Sequence, residues 1–371
     1  MTQKITAQTL EVRRDEWPQT RILTETLSSD LAADAVLLRI EHFALTANNI
    51  SYAATGDSLG YWQFFPAENG WGRIPVMGWG TVLASKHPDI SSGERVSGFF
   101  PMSTHLSITA GGVTASQFAD VSEHRANLAP FYAVFQRAAA IPDYDTGMEG
   151  HDSLLRNLFA TGWLVEDYLH ELADVSVGSC LISSASSKTS ISLGHCVKAR
   201  GELRSIGITS AGNVAFCENV GCYDEVVSYE DITDLDASRA IAFVDMAGSA
   251  RLTASLHEHF GDNMKVSTKV GATHYDQAAP LDQAVDNLPG AKPAFFFAPT
   301  QFQRVAEKVG PGELQKRLST AYAGFRENAV QWLEIQRGSG PEAVESAYQA
   351  VLAGKANPAH GLVLSMWNTK L

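Results

Sequence analysis

The residues best placed to do chemistry form one run, Ser183-Ser184-Ala185-Ser186-Ser187-Lys188-Thr189-Ser190. It follows the apolar, strand-like segment Cys180-Leu181-Ile182 and leads into residues 191–199, whose spacing predicts a helix. A strand–turn–helix at the start of a βαβ unit is where a dinucleotide pyrophosphate sits, on the helix N-terminus. Hydroxyls and backbone N–H groups donate to phosphate, and Lys188 adds a charge. The same residues also suit a capped helix start with no ligand, because Ser and Thr are favoured there. A P-loop is rejected. That motif needs glycine directly before the lysine and again five residues earlier, where this chain has Ser187 and Ile182.

Two further places carry candidate ligands. The next predicted strand ends in Gly207-Ile208-Thr209-Ser210-Ala211-Gly212-Asn213. An NAD site has an Asp or Glu at such an end, bonded to the ribose 2′-OH. Here there is no carboxylate. Thr209, Ser210 and Asn213 leave room for a 2′-phosphate and can donate to it, which favours NADP(H). Gly212-Asn213 would equally form a plain turn. His274 follows Gly271-Ala272-Thr273 at the carboxyl end of a later predicted strand, where open parallel sheets bind ligands. It reads as a general acid, as a cofactor contact, or as a solvated loop histidine.

These residues need a parallel sheet to position them. Strand-like segments at 180–182, 203–208, 225–227, 240–246 and 265–270 alternate with helical ones at 191–199 and 216–221, and Phe295-Phe296-Phe297 ends the series. That alternation predicts an α/β domain over 151–319, its parallel sheet covered on both faces. Residues 1–150 read as a loop-heavy β domain, with a strand at 35–40, a Gly-, Pro-, Trp- and Phe-rich stretch at 56–80, and a turn and strand within 90–100. Helical spacing returns over 301–337 and 341–352. A last strand at 361–366 can pair back into the first domain, so 320–371 are expected to complete it.

Composition narrows the classes. A chain of 371 residues exceeds what one core usually holds. With 41 Asp+Glu against 28 Lys+Arg, the formal net charge of -13 argues against a broad nucleic-acid or anionic-membrane surface. No apolar run approaches the ~20 residues of a spanning helix. The opening MTQKITAQTLEVRRDEWPQT lacks a signal-peptide apolar core, so a soluble, cytosolic protein is expected. Cys180, Cys196, Cys217 and Cys222 fit neither a zinc framework nor a disulfide scaffold.

The order of elements resembles the medium-chain dehydrogenase/reductase superfamily on its zinc-independent, quinone-oxidoreductase-like side. The family turn G-A-S-S-G-V-G is matched by 184–190 at its central A-S-S, and all three glycines are replaced, by Ser184, Lys188 and Ser190. Gly221-Cys222-Tyr223-Asp224-Glu225-Val226-Val227-Ser228-Tyr229 is similar to the family's "lGad-vi-Y", Val244-Asp245-Met246-Ala247-Gly248 to its "vD-vG", and Val270-Gly271 to a later strand end. In the first half, NNISYAATG (48–56) resembles "NPVDxYxRxG", IPVMGWG (74–80) resembles "iPGxEgaG", and Gly93-Glu94-Arg95-Val96 resembles "vGDrV". The segments LTANNISYA, SSASSKTS and KPAFFFAP are similar to a divergent branch of unknown function.

The resemblance implies a GroES-like β-rich domain, a Rossmann domain, and NADP(H) with a small-molecule substrate in the cleft between them. It adds Tyr229, Gly248 and Gly271 to the cofactor residues. It places Tyr52 on the substrate side as a proton donor, against the alternative of an amphipathic core tyrosine. Asn48 and Asn49 would orient a carbonyl or simply build the turn. Tyr61-Trp62-Gln63-Phe64-Phe65 and Trp71 line an apolar pocket or pack the core. No catalytic metal is expected. The zinc-dependent "GHE" is replaced by Met77-Gly78-Trp79, and His42, His87 and His105 stand alone. The implied activity is NADP(H)-dependent reduction of a small carbonyl, enone or quinone. The alternative is a nucleotide-binding lyase or sensor on the same fold. A homodimer through the sheet edge near 265–270 and 295–297 is expected.

Overall fold

Strands dominate the first part of the chain: β1 (Lys4–Arg13), β2 (Thr20–Ser28), β3 (Ala35–Leu45), then α1 (Ala47–Ala54), β4 (Trp71–Gly72), β5 (Pro75–Ser85), β6 (Arg95–Pro101), β7 (His105–Gly111), β8 (Gln117–Asp120) and β9 (Val134–Arg137). β2, β1 and β4 make a small antiparallel sheet. The others run β3-β5-β6-β9-β8-β7, and β7 returns to pair with β3, which closes the ring. Closure removes the open edges of the sheet. Phe100, Phe118 and Phe135 pack together on one face of these strands, while Phe99 and Trp79 are buried on the opposite face against Tyr132 and Tyr144. This is a computed structural model, and it describes residues 4–369 apart from 29, 69, 143, 173–175 and 271–287.

The long helix α2 (Glu149–Leu172) leads into the alternating part. There follow β10 (Ser179–Ile182), α3 (Lys188–Arg200), β11 (Arg204–Thr209), α4 (Val214–Val220), β12 (Glu225–Ser228), β13 (Ile241–Asp245), α5 (Ala250–Phe260), β14 (Met264–Lys269), β15 (Ala294–Phe295), α6 (Ala298–Val309) and α7 (Pro311–Ala329). The strands form one parallel sheet, β12-β11-β10-β13-β14-β15. β10 and β13 are buried at every position, as strands covered on both faces must be. Leu181, Ile208, Phe243 and Leu256 are the centre of that core. The strand order turns back on either side of β10, and that reversal is where such sheets hold ligands.

The chain ends with β16 (Glu334–Ser339), α8 (Pro341–Leu352) and β17 (His360–Ser365). β17 pairs antiparallel with β3, Leu362 opposite Leu45 and Leu364 opposite Phe43, and β16 lies parallel to β17. The chain divides into two compact units, Met1–Leu154 with Glu334–Leu371, and Leu155–Leu333. The architecture is therefore α/β, a β-rich barrel-like unit and a doubly wound parallel-sheet unit.

Two local expectations need correction. The helical spacing over 301–337 does not hold to its end: Glu334–Ser339 is a strand, because pairing along the whole of β17 outweighs local pattern. Of Phe295-Phe296-Phe297, only Phe295 is in a strand. Phe297 is the N-cap of α6, whose start is fixed by Pro299 in the first turn.

Candidate functional site

The serine turn is built around a backbone conformation that its sequence does not advertise. Ser184 has φ 52°, in the left-handed region that favours glycine, at the position of the family's first glycine. The surroundings hold it there. Ser184 N–H donates to the Tyr229 hydroxyl at 3.1 Å, and Ser187 N–H returns to the Ser184 carbonyl at 2.7 Å. Burial pushes the Tyr229 phenol up to about 12, so it stays protonated. The Tyr223 hydroxyl donates to the Ala185 carbonyl at 2.8 Å from below. Gly207 makes room for that ring: a Cβ there would lie 2.9 Å from the Ala185 side chain and 3.1 Å from Tyr223.

The Ser187 and Ser190 hydroxyls bond within the turn itself. Ser187 is the N-cap of α3; its Oγ accepts from Ser190 N–H at 3.2 Å and donates to Ser190 Oγ at 2.8 Å. Ser190 is fully buried and donates to the Ser183 carbonyl at 2.9 Å. It occupies the third glycine position by directing its hydroxyl into the turn. Ser186 differs, since its Oγ accepts from Asn213 Nδ2 at 3.2 Å, and the same amide reaches Ser210 Oγ at 3.1 Å. Ser186, Ser210 and Asn213 are thereby joined across the carboxyl ends of β10 and β11. Thr209 is buried on β11 and bonded to Cys217. Lys188 and Thr189 open α3, whose first-turn N–H groups have no helical carbonyl to meet. Lys188 is half-buried, and burial lowers its ammonium to about 8.

Gly248 closes the neighbouring strand end. It has φ 73°, and its N–H donates to Asp245 Oδ1 at 3.0 Å. The same carboxylate oxygen accepts from Ser183 Oγ at 2.9 Å and Ala247 N–H at 3.0 Å. Burial pushes the Asp245 carboxyl up, and these donors work against the shift. Ser183, Tyr223 and Asp245 brace the turn rather than face a ligand. The signal was present in the quoted Tyr223 and Asp245 segments, but it did not say that they brace the turn. Gly271 and His274 lie outside the described residues.

In the other unit, Asn49 is buried at the start of α1 with both amide ends engaged. Its Oδ1 accepts from Thr46 N–H at 2.7 Å and its Nδ2 donates to the Pro75 carbonyl at 2.8 Å. That is turn-building. Asn48 is the one that bonds the Tyr52 hydroxyl. Tyr52 is half-buried and stacks on Tyr61 with centroids 4.3 Å apart. Tyr61, Phe64, Phe65 and Phe99 form a buried cluster beside it, and burial holds the Tyr52 phenol well above its usual range.

The lone histidines of this unit are all engaged. His42 bonds Glu149 at 2.9 Å, His105 Nδ1 lies 3.0 Å from Thr104 Oγ1, and His87 Nδ1 accepts from Asp89 N–H. Burial disfavours the Glu149 charge, but bonds from Arg95, His42 and Tyr144 outweigh it and leave the carboxyl at about 2. Among the described residues, no three His, Cys, Asp or Glu side chains gather as a metal site. Nor is any described helix long and apolar enough to cross a membrane.

Comparison with solved structures finds this fold repeatedly. A Bacillus thuringiensis protein assigned as an NADPH:quinone reductase superposes with a TM-score of 0.63 at 14% identity, covering 97% of this chain and 99% of that one. CurA from Vibrio vulnificus in complex with NADPH gives 0.60 at 14% identity, over 92% and 94%. The mitochondrial 2-enoyl thioester reductase Etr1p/Etr2p heterodimer from Candida tropicalis gives 0.59 at 12% identity, over 97% and 100%. No curated protein matches. A family model described as "Protein of unknown function (DUF2855)" matches residues 43–357. The chain has the two-domain fold seen in the medium-chain dehydrogenase/reductase superfamily, and it belongs to that DUF2855 family.

Proposed function

We propose that the protein is a zinc-independent, NADP(H)-dependent reductase of a small carbonyl, enone or quinone. One observation carries the reading: Ser186, Ser210 and Asn213 are hydrogen-bonded together at the sheet's carboxyl end, beside a left-handed Ser184 and the cation of Lys188. Those groups suit a dinucleotide phosphate, since the ammonium and helix N–H groups donate only and hydroxyls and amides can. Ser186, Lys188, Thr189 and Asn213 would hold the phosphates and ribose, with Tyr229 and Gly248 shaping the floor. Ser210 has no acidic neighbour in its own turn, which leaves space for a 2′-phosphate. When bound, the nicotinamide supplies the hydride. Tyr52 holds the proton for the substrate oxygen or carbon at its hydroxyl, with Asn48 bonded to the same oxygen. The CurA and enoyl reductase complexes, which carry NADPH or NADP, support the cofactor.

Replacement of all three glycines favours a second reading, a nucleotide-binding lyase or sensor. Fluorescence titration with NADPH and NADH, followed by NADPH oxidation over an enone, ketone and quinone panel, separates the two. Turnover supports the reductase. Tight NADPH binding without turnover favours the second reading. Binding of neither nucleotide sinks both. We also propose a cytosolic homodimer through the β15 edge, where Phe295 is 53% exposed.

A further inference from the structure

Three phenol hydroxyls meet in the β-rich unit, and the reading above uses only Tyr52. Tyr61 Oη lies 3.3 Å from Tyr132 Oη. At rest the Tyr52 hydroxyl donates toward that of Tyr132, which favours the protonated Tyr52 phenol, while Asn48 bonds the Tyr52 oxygen and favours its charge. The result is a continuous line, Asn48–Tyr52–Tyr132–Tyr61. Aromatic rings wall it in: Phe99 stacks on Tyr132 at 4.8 Å, and Phe64 meets Tyr132 edge-on at 5.6 Å. Burial raises all three phenols, so an isolated phenolate here would be costly. A phenol both donates and accepts, so the line can reverse its sense by rotation of the hydroxyls.

We propose that Tyr132 is a positioning residue for the proton transfer. Its hydroxyl turns to donate to the Tyr52 oxygen as Tyr52 releases its proton, and Tyr61 donates to Tyr132 in turn. The inference rests on the reading of Tyr52 as the proton donor. In that step the Tyr52 O–H bond breaks and the proton bonds to the substrate, while the electron pair that reduces the substrate arrives with the hydride of a reduced nicotinamide. The charge left on the Tyr52 oxygen is held by the Tyr132 and Asn48 donors until a solvent proton restores the phenol. Preorganised donors aimed at developing charge act in this way in water-poor sites. Tyr132 lies 71 residues from Tyr61 along the chain, so only the fold brings the hydroxyls together.

Tyr132→Phe tests this because it keeps the ring and its stacking and removes only the hydroxyl. With NADPH and a turned-over enone or quinone, kcat should fall by about 10- to 100-fold with KM little changed, and the solvent deuterium isotope effect should rise. Tyr61→Phe should show a smaller loss. A second readout needs no turnover: in protein carrying carbon-13 at the tyrosine ζ position, the Tyr52 signal, identified by its loss in Tyr52→Phe, should shift in Tyr132→Phe at neutral pH. An unmoved Tyr52 signal overturns the inference. So does a wild-type kcat in Tyr132→Phe when Tyr52→Phe is impaired, and that result leaves the donor reading standing. Full activity in Tyr52→Phe overturns the donor reading and this inference with it.

Discussion

Lys188 occupies the position of a family glycine, where backbone usually approaches the pyrophosphate. Burial already lowers its ammonium from the ordinary 10.5 to about 8. In the free protein the charged form is the disfavoured one, so Lys188 withholds stability below about pH 8 and returns it as pH rises through 8 toward 10.5. Phosphate binding has the opposite preference, because it needs the cation. NADPH affinity measured by fluorescence should therefore weaken as pH rises above about 8, with proton uptake on binding, and Lys188→Met should abolish that dependence. At low salt and pH 7, Lys188→Ala should bind about 10- to 100-fold more weakly, with a smaller loss at high salt. Equal NADPH binding by both proteins would place the lysine away from the phosphate. Ser184 gives a second test. Its left-handed backbone costs about 1–2 kcal/mol for an ordinary residue. In denaturant titrations Ser184→Gly should hold stability or raise it by up to ~1 kcal/mol, and Ser184→Val should lower it by about 1–2 kcal/mol.

At the scale of elements, α1 and the serine turn contrast. Both carry polar side chains suited to a ligand, and each is also a helix start that must satisfy its own N–H groups. In α1 that demand takes all of Asn49, so Asn49→Ala should cost about 1–2 kcal/mol in urea unfolding while kcat per folded molecule changes little. A large kcat loss at unchanged stability would return Asn49 to the substrate. In α3 the demand takes Ser187 and Ser190 but leaves Ser186 linked to Asn213. The parallel sheet and its helices were legible in the sequence because apolar runs of strand length alternate with 3.6-spaced ones. The roles of individual serines were not, because hydroxyl direction depends on backbone brought in from β11 and β13. Tyr132 was equally hidden: it sits in no quoted motif, and its partners come from distant parts of the chain.

For the whole molecule, association is the property open to measurement. The β15 edge carries an exposed Phe295 stacked at 6.5 Å on Phe297, and unpaired apolar edges invite a partner. Phe295→Asp should shift sedimentation toward a single chain. A wild-type sample that sediments only at 40.0 kDa when dilute would refute the dimer.

The pairing of β17 with β3 also orders events during synthesis. One edge of β3 pairs with β5 as far as Phe43, but its other edge over Phe43–Leu45 is paired by residues 362–364, at the far end of the chain. A ribosome must therefore finish almost the whole polypeptide before this part of the barrel-side sheet can be sealed. The intervening stretch, Leu155–Leu333, is continuous in sequence and is available to fold earlier. Until β17 emerges, an apolar strand edge waits exposed on the nascent protein. Chains stopped short of residue 360 should therefore aggregate or be degraded, even though the serine turn and its parallel sheet are already complete.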